Sequence, residues 1–143
     1  MKRTFIIIIG IAIAAVVTIF LGLTVTNNAN AYCKESATST NYCKYSGKIK
    51  KVYLNSDNLY LIFLEQAFEK QDVKNFGYNI KSGNALAIQL NGDETSKQFI
   101  TLANLALTNG FPIEVHSREV LNGYLKVDRM WIEGKSFSSL AMF

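Results

Sequence analysis

Between Asn91 and Arg118 the spacing of apolar residues changes from a helical to an extended period. Phe99, Leu102, Ala103, Ala106 and Leu107 recur at i, i+3, i+4, i+7 and i+8, which puts them on one face of a helix. Beyond Gly110, Phe111, Ile113 and Val115 alternate with Pro112, Glu114 and His116, as along a half-buried strand. Both helix ends are marked. Asn91-Gly92-Asp93 supplies a turn with Asp93 or Thr95 as cap, and Asn109-Gly110 supplies a left-handed stop. Ile100 and Leu105 widen the apolar face, so the purely polar arc holds little more than Lys97, Gln98, Thr101, Asn104 and Thr108. Such a helix predicts cover on more than one side, and Ile100, Asn104 and Leu105 become candidates for an interface between copies of the chain.

Upstream, the pattern predicts strands. Tyr45 to Leu54 reads as the first, with a slip of parity between Ile49 and Val52 across Lys50-Lys51 that predicts a bulge or bend. Asn55-Ser56-Asp57-Asn58 turns the chain into a second strand, Leu59 to Leu64, completing a hairpin. Glu65 to Gly83 is polar and irregular and reads as a long exposed excursion. Ala85 to Leu90 is a third strand with Leu86, Ile88 and Leu90 facing the core. After the helix come the Phe111 to His116 strand, a turn at Leu121-Asn122-Gly123 and a fifth strand from Tyr124 to Ile132.

Five strands with a helix between the third and fourth is the connectivity of the OB-fold, a partly open Greek-key barrel with a bent first strand. The expected class is therefore mainly β, a five-stranded OB-fold-like barrel with one helix; an open α+β sheet with a covering helix accommodates the same string. The domain is expected over residues 45–133, with a stapled segment at 32–44 before it and a tail at 134–143 after it.

The first residues alter the picture of location. Lys2-Arg3, an apolar run from Phe5 to about Val25, polar Thr26-Asn27-Asn28 and then Ala29-Asn30-Ala31 form the three-part pattern of a secretory signal peptide, residues 1–31, cut after Ala31. The apolar run is also long enough to span a bilayer if retained. Either way the remainder is placed outside the cytoplasm, secreted or periplasmic if cut and membrane-anchored if not.

Composition adds limits. The 143 residues carry 15 Lys and Arg against 11 Asp and Glu; losing Lys2 and Arg3 leaves only two positive charges in excess, too few to nominate nucleic acid as partner. Cys33 and Cys43, the only cysteines, flank a small polar loop and predict one disulfide in an oxidising compartment. One histidine, His116, without further ligands at useful spacing argues against a metal site. No nucleophile motif accompanies it, so the chain is read as a non-enzyme without cofactor. Trp131 reads as a core residue, and Lys48, Lys50 and Lys51 as a solvated strand face.

Tyr45-Ser46-Gly47 opening the first strand, the helix ending in Thr108-Asn109-Gly110 and the strand Pro112-Ile113-Glu114-Val115 resemble the B subunits of subtilase cytotoxin and its typhoid-toxin relatives. The resemblance runs from Tyr45 to Ser117. It implies an OB barrel, a homopentamer with helices lining a central pore, and binding of sialylated or related glycans so that a catalytic A subunit enters cells. It further implies that Ser46 contacts the glycan with Tyr45 beside it. Where that family places an aromatic residue after the proline strand, this chain has His116-Ser117, and its cysteine pair precedes the barrel.

Residue chemistry points the same way. Sugar sites combine hydroxyls or amides with an aromatic face, usually on loops and strand ends, and Tyr45, Ser46, Tyr53, Asn55, Asn58, Tyr60, Asn122 and Tyr124 offer such groups. The expected glycan contacts are Tyr45, Ser46, His116 and Ser117. The favoured function is a secreted binding subunit for the carbohydrate of a glycoprotein or glycolipid, acting as the B component of an AB-type toxin. The alternative is a membrane-anchored envelope protein presenting a small β-barrel for protein contacts.

Overall fold

In the computed structural model, residues 28–36 and 40–133 are described. The apolar Phe5 to Val25 run and the tail expected at 134–143 lie outside them. Strands dominate and form two sheets. The first has the order β1 (Asn30–Lys34), β2 (Tyr42–Gly47), β6 (Ile113–Ser117), β9 (Arg129–Ile132), with every neighbouring pair antiparallel. The second has the order β3 (Ile49–Leu54), β4 (Leu59–Leu64), β5 (Ala85–Gln89), β8 (Tyr124–Lys126), β7 (Val120–Leu121), and its β5–β8 pair is parallel. Among the described residues two helices accompany them, α1 (Lys70–Asn75) and α2 (Glu94–Asn109).

The expected five-stranded barrel is not closed among the described residues: its strands are divided between two sheets, because two of them bend. The first breaks at Lys48 into β2 and β3, and the register of β3 on β4 shifts between Ile49 and Lys51, where the parity slip predicted a bulge. The fifth breaks at Val127-Asp128 into β8 and β9. The expected leader junction after Ala31 falls inside β1, where Asn30 pairs with Ser46 and Ala31 with Tyr45. Cys33 and Cys43 face each other across β1 and β2 and are joined by the expected disulfide.

Inward-pointing residues of both sheets and one side of α2 make the main core: Tyr45, Ile62, Leu86, Ile113, Val115 and Leu125 are all nearly inaccessible, with Ala103 and Ala106 of the helix against them. Their mutual burial is the main stabilising term. A smaller cluster of Leu59, Leu61, Ala85 and Ala87 occupies the other side of β4 and β5, which explains why β4 reads as a continuous apolar run. Helix α2 begins where the turn chemistry places it: the Asp93 side chain accepts from the Ser96 amide at 2.7 Å. It ends at Gly110, whose φ of 65° is left-handed and open to glycine at no steric cost.

The Glu65 to Gly83 stretch departs from expectation. It is not a wholly exposed excursion, because Phe68, Val73 and Ile80 are buried in the main core, Val73 from within α1. It is pinned at its base by the Phe68 amide donating to the Gly83 carbonyl at 3.0 Å, and a β-carbon at Gly83 would lie 2.1 Å from the Phe68 carbonyl oxygen. The anchors were hidden because Phe68 and Val73 stand five positions apart with four polar residues between them, a spacing that matches neither the helical nor the strand period.

Candidate ligand-binding face

The outward side of the first sheet collects the polar and aromatic chemistry of the chain. Cys43 and Tyr45, Ile113, Val115 and Ser117, and Met130 point into the core. Alternation therefore turns Tyr42, Lys44, Ser46, Glu114, His116, Arg129 and Trp131 outward. Register sets them side by side. Lys44 is opposite His116, which is opposite Arg129; Ser46 is opposite Glu114, which is opposite Trp131.

Three rings form a row. The Tyr42 and His116 ring centres are 4.8 Å apart, and His116 and Trp131 meet edge to face at 5.0 Å. Lys34 lies over the outer end of the row, its Nζ 5.2 Å from the Tyr42 ring centre. Trp131 is 39% exposed. This corrects its assignment to the core: its neighbour Met130 is the inward residue of β9, so strand parity carries the indole outward.

Beneath the row runs a chain of ionic contacts. Lys44 Nζ lies 2.5 Å from Glu114 Oε2, and the other carboxylate oxygen is 3.2 Å from His116 Nε2. Partial burial of Glu114 would raise its pKa, but the hydrogen bonds and charge of Lys44 and His116 outweigh that and hold it below the ordinary carboxylate value. Lys44 is raised by the same contact. His116 is lowered, chiefly because burial penalises the imidazolium, with the cations Lys44 and Arg129 adding to that and Glu114 opposing it. Above its ordinary range the ring is thus neutral, with Nε2 beside the Glu114 carboxylate.

The expected contact residues divide by face. Ser46 and His116 are on this surface, and the Ser46 hydroxyl donates to Glu133 Oε1 at 3.0 Å. Tyr45 and Ser117 are turned into the core. Tyr45 is fully buried, donates to the Lys48 carbonyl and accepts from the Glu65 amide, and burial pushes its pKa up to about 12. Ser117 is 1% exposed and donates to the Glu119 carbonyl at 3.2 Å, so it forms no nucleophile–base pair with the adjacent His116. Adjacent residues of a strand point to opposite sides, so neither adjacent pair could have served one site. Tyr42, Lys44, Glu114 and Trp131 were missed, though counting alternate positions outward from Ser46 and His116 reaches the first three.

The remaining candidates scatter. Tyr60 is buried and donates to Asn104 Oδ1 at 2.7 Å, whereas Tyr53 is 54% exposed on β3. Of the three interface candidates on α2, Ile100 is half-buried against the main core. Asn104 is engaged by Tyr60, and Leu105 is 48% exposed. Among the described residues no group of three or more His, Cys, Asp or Glu is placed to hold a metal ion, and no helix is long and apolar enough to cross a membrane.

No family model, no curated protein and no solved structure matches this chain.

Proposed function

We propose that the chain is an exported, non-catalytic binding module that recognises a carbohydrate through the outer face of its first sheet. The carrying observation is the row of an exposed Trp131 and half-buried His116 and Tyr42, beside Ser46 and Glu114. Aromatic faces stack on the apolar C–H surface of a sugar, while the imidazole, hydroxyl and carboxylate groups take its hydroxyls.

An OB-type barrel is the accompanying fold reading. It is supported by the passage of β2 into β3 across Lys48 alone, and of β8 into β9 across Val127-Asp128. Counting each pair as one bent strand and setting β1 and β7 aside leaves five strands, with α2 between the third and fourth. The resemblance to toxin B subunits supports carbohydrate as the ligand class and, with Leu105 exposed on α2, a ring of copies, five in that family, around a catalytic partner.

A glycan array with Trp131→Ala tests the reading. The native protein should bind a defined glycan subset, and the variant should lose about ten-fold or more in affinity with its circular dichroism unchanged. Binding that is undiminished in both Trp131→Ala and Tyr42→Ala would remove this face from the function. The second reading, an anchored envelope protein used for protein contacts, is favoured by exposed Tyr53 and Leu54 on β3. The N-terminus of the exported protein separates the two: Tyr32 fits the secreted subunit and Met1 the anchored one.

A further inference from the structure

A cleft of about 370 Å³ opens on a different part of the surface, between the start of α2, the end of β5 and the β7–β8 hairpin. Its floor is apolar: Ile88 and Val127 are buried there, and Phe99 and Leu121 are half-buried. Its rim carries groups that the protein uses only in part. Gln89 donates through Nε2 to the Asn58 carbonyl, leaving its amide oxygen. Asn91 accepts through Oδ1 from the Asp93 amide and the Ser96 hydroxyl, and its side-chain amide also bonds the Asp93 carboxylate. The Thr95 hydroxyl stands beside them.

Charge decides what such a cleft attracts. Each of its carboxylates is already engaged: Asp93 by the Ser96 amide and hydroxyl, Glu119 by Lys126 at 2.7 Å, and Asp128 by Arg118 at 3.3 Å and Arg129 at 3.7 Å. Glu119 and Asp128 are thus paired with cations, and the Asp93 carboxylate is taken up by the hydrogen bonds that cap the helix. An anion is disfavoured too, because the Asp93 carboxylate already occupies the start of the helix, where an anion would otherwise sit. What remains is an apolar floor under neutral groups that donate and accept side by side, which suits a ligand whose hydroxyls both donate and accept.

We propose that this cleft is a second binding site, for a neutral polyhydroxylated ligand of the size of one hexose unit, independent of the sheet face. It shares no residue with the Tyr42, His116 and Trp131 row, so it stands whether or not that row binds carbohydrate.

The test is a titration of the isotopically labelled protein, as exported, followed by amide NMR. The probes are glucose, galactose and mannose, with inorganic phosphate and guanidinium as ionic controls. At least one hexose should give saturable shifts at Gln89, Asn91, Thr95 and Phe99, and neither ion should. Thr95→Val, an exposed change that leaves the Asp93 cap intact, should weaken that binding about ten-fold, the effect of one lost hydrogen bond. Trp131→Ala should leave it unaltered. Absence of saturable shifts at these residues with every hexose overturns the proposal, as do shifts from phosphate or guanidinium of equal size. Hexose shifts confined to Tyr42, His116 and Trp131 also overturn it, while leaving the sheet-face reading intact.

Discussion

Glu114 holds the candidate face together, since it contacts both Lys44 and His116. Replacing it with Gln removes the groups that raise the His116 pKa while leaving burial and the cations that lower it. Glu114→Gln should therefore shift the imidazole titration still lower, read from its C–H proton resonances; an unchanged or higher value would show that the contact does not form in solution. The same shifts set a dependence of stability on pH. His116 is lowered from its ordinary 6.5 and Glu114 from 4.5, so in both cases the unfolded chain binds protons more readily than the folded one. Their contribution is complete above about pH 6.5 and declines on acidification, first as His116 and then as Glu114 protonates. Thermal unfolding should fall in midpoint from about pH 7 to pH 5, and His116→Gln should flatten that part of the curve. Single positions were legible only as far as parity allowed. Ser46 and His116 were found, whereas Tyr45 and Ser117 were paired with them by adjacency in sequence, which a strand converts into opposition.

Helix α2 was the most legible element, because cap, period and stop agree. Gly110→Ala isolates the last of these. Nothing lies within 4 Å of where its β-carbon would sit, so only the left-handed backbone opposes the change. A loss of about 1 kcal/mol by denaturant titration is expected. Gly83→Ala should cost more and act differently, since its β-carbon would collide with the Phe68 carbonyl and lift the segment that holds α1. Hydrogen exchange should rise across residues 65–83 before it rises in the sheets. That segment was misread as exposed because Phe68, Val73 and Ile80 follow no period. Isolated anchors on an irregular path are chosen by the hole they fill. Leu105→Glu tests the outward side of α2: light scattering should show a smaller assembly than the native protein, and an unaltered mass would place any self-association elsewhere.

The molecule as a whole is held by two sheets that meet at bends, with a disulfide closing one edge. The Cys33–Cys43 bond encloses a ten-residue separation, and by the chain-entropy model it contributes roughly 2–3 kcal/mol. A Cys33→Ser, Cys43→Ser double variant should lose about that much in equilibrium unfolding. It should keep the main core, which lies under β2, β4 and β6. What the sequence determined alone was everything set by neighbours along the chain: strand and helix periods, a helix cap at Asp93 or Thr95, the Gly110 stop, the bulge after Ile49 and a cysteine pair across a short loop. Each rests on local geometry, which a few consecutive residues suffice to impose. Only the tertiary structure decided that two strands bend far enough to make two sheets, that Trp131 faces outward beside His116, and that Asn104 is engaged by Tyr60. These depend on register and on contacts between residues dozens of positions apart. A shift of one residue in pairing would have turned every side chain of the candidate face inward.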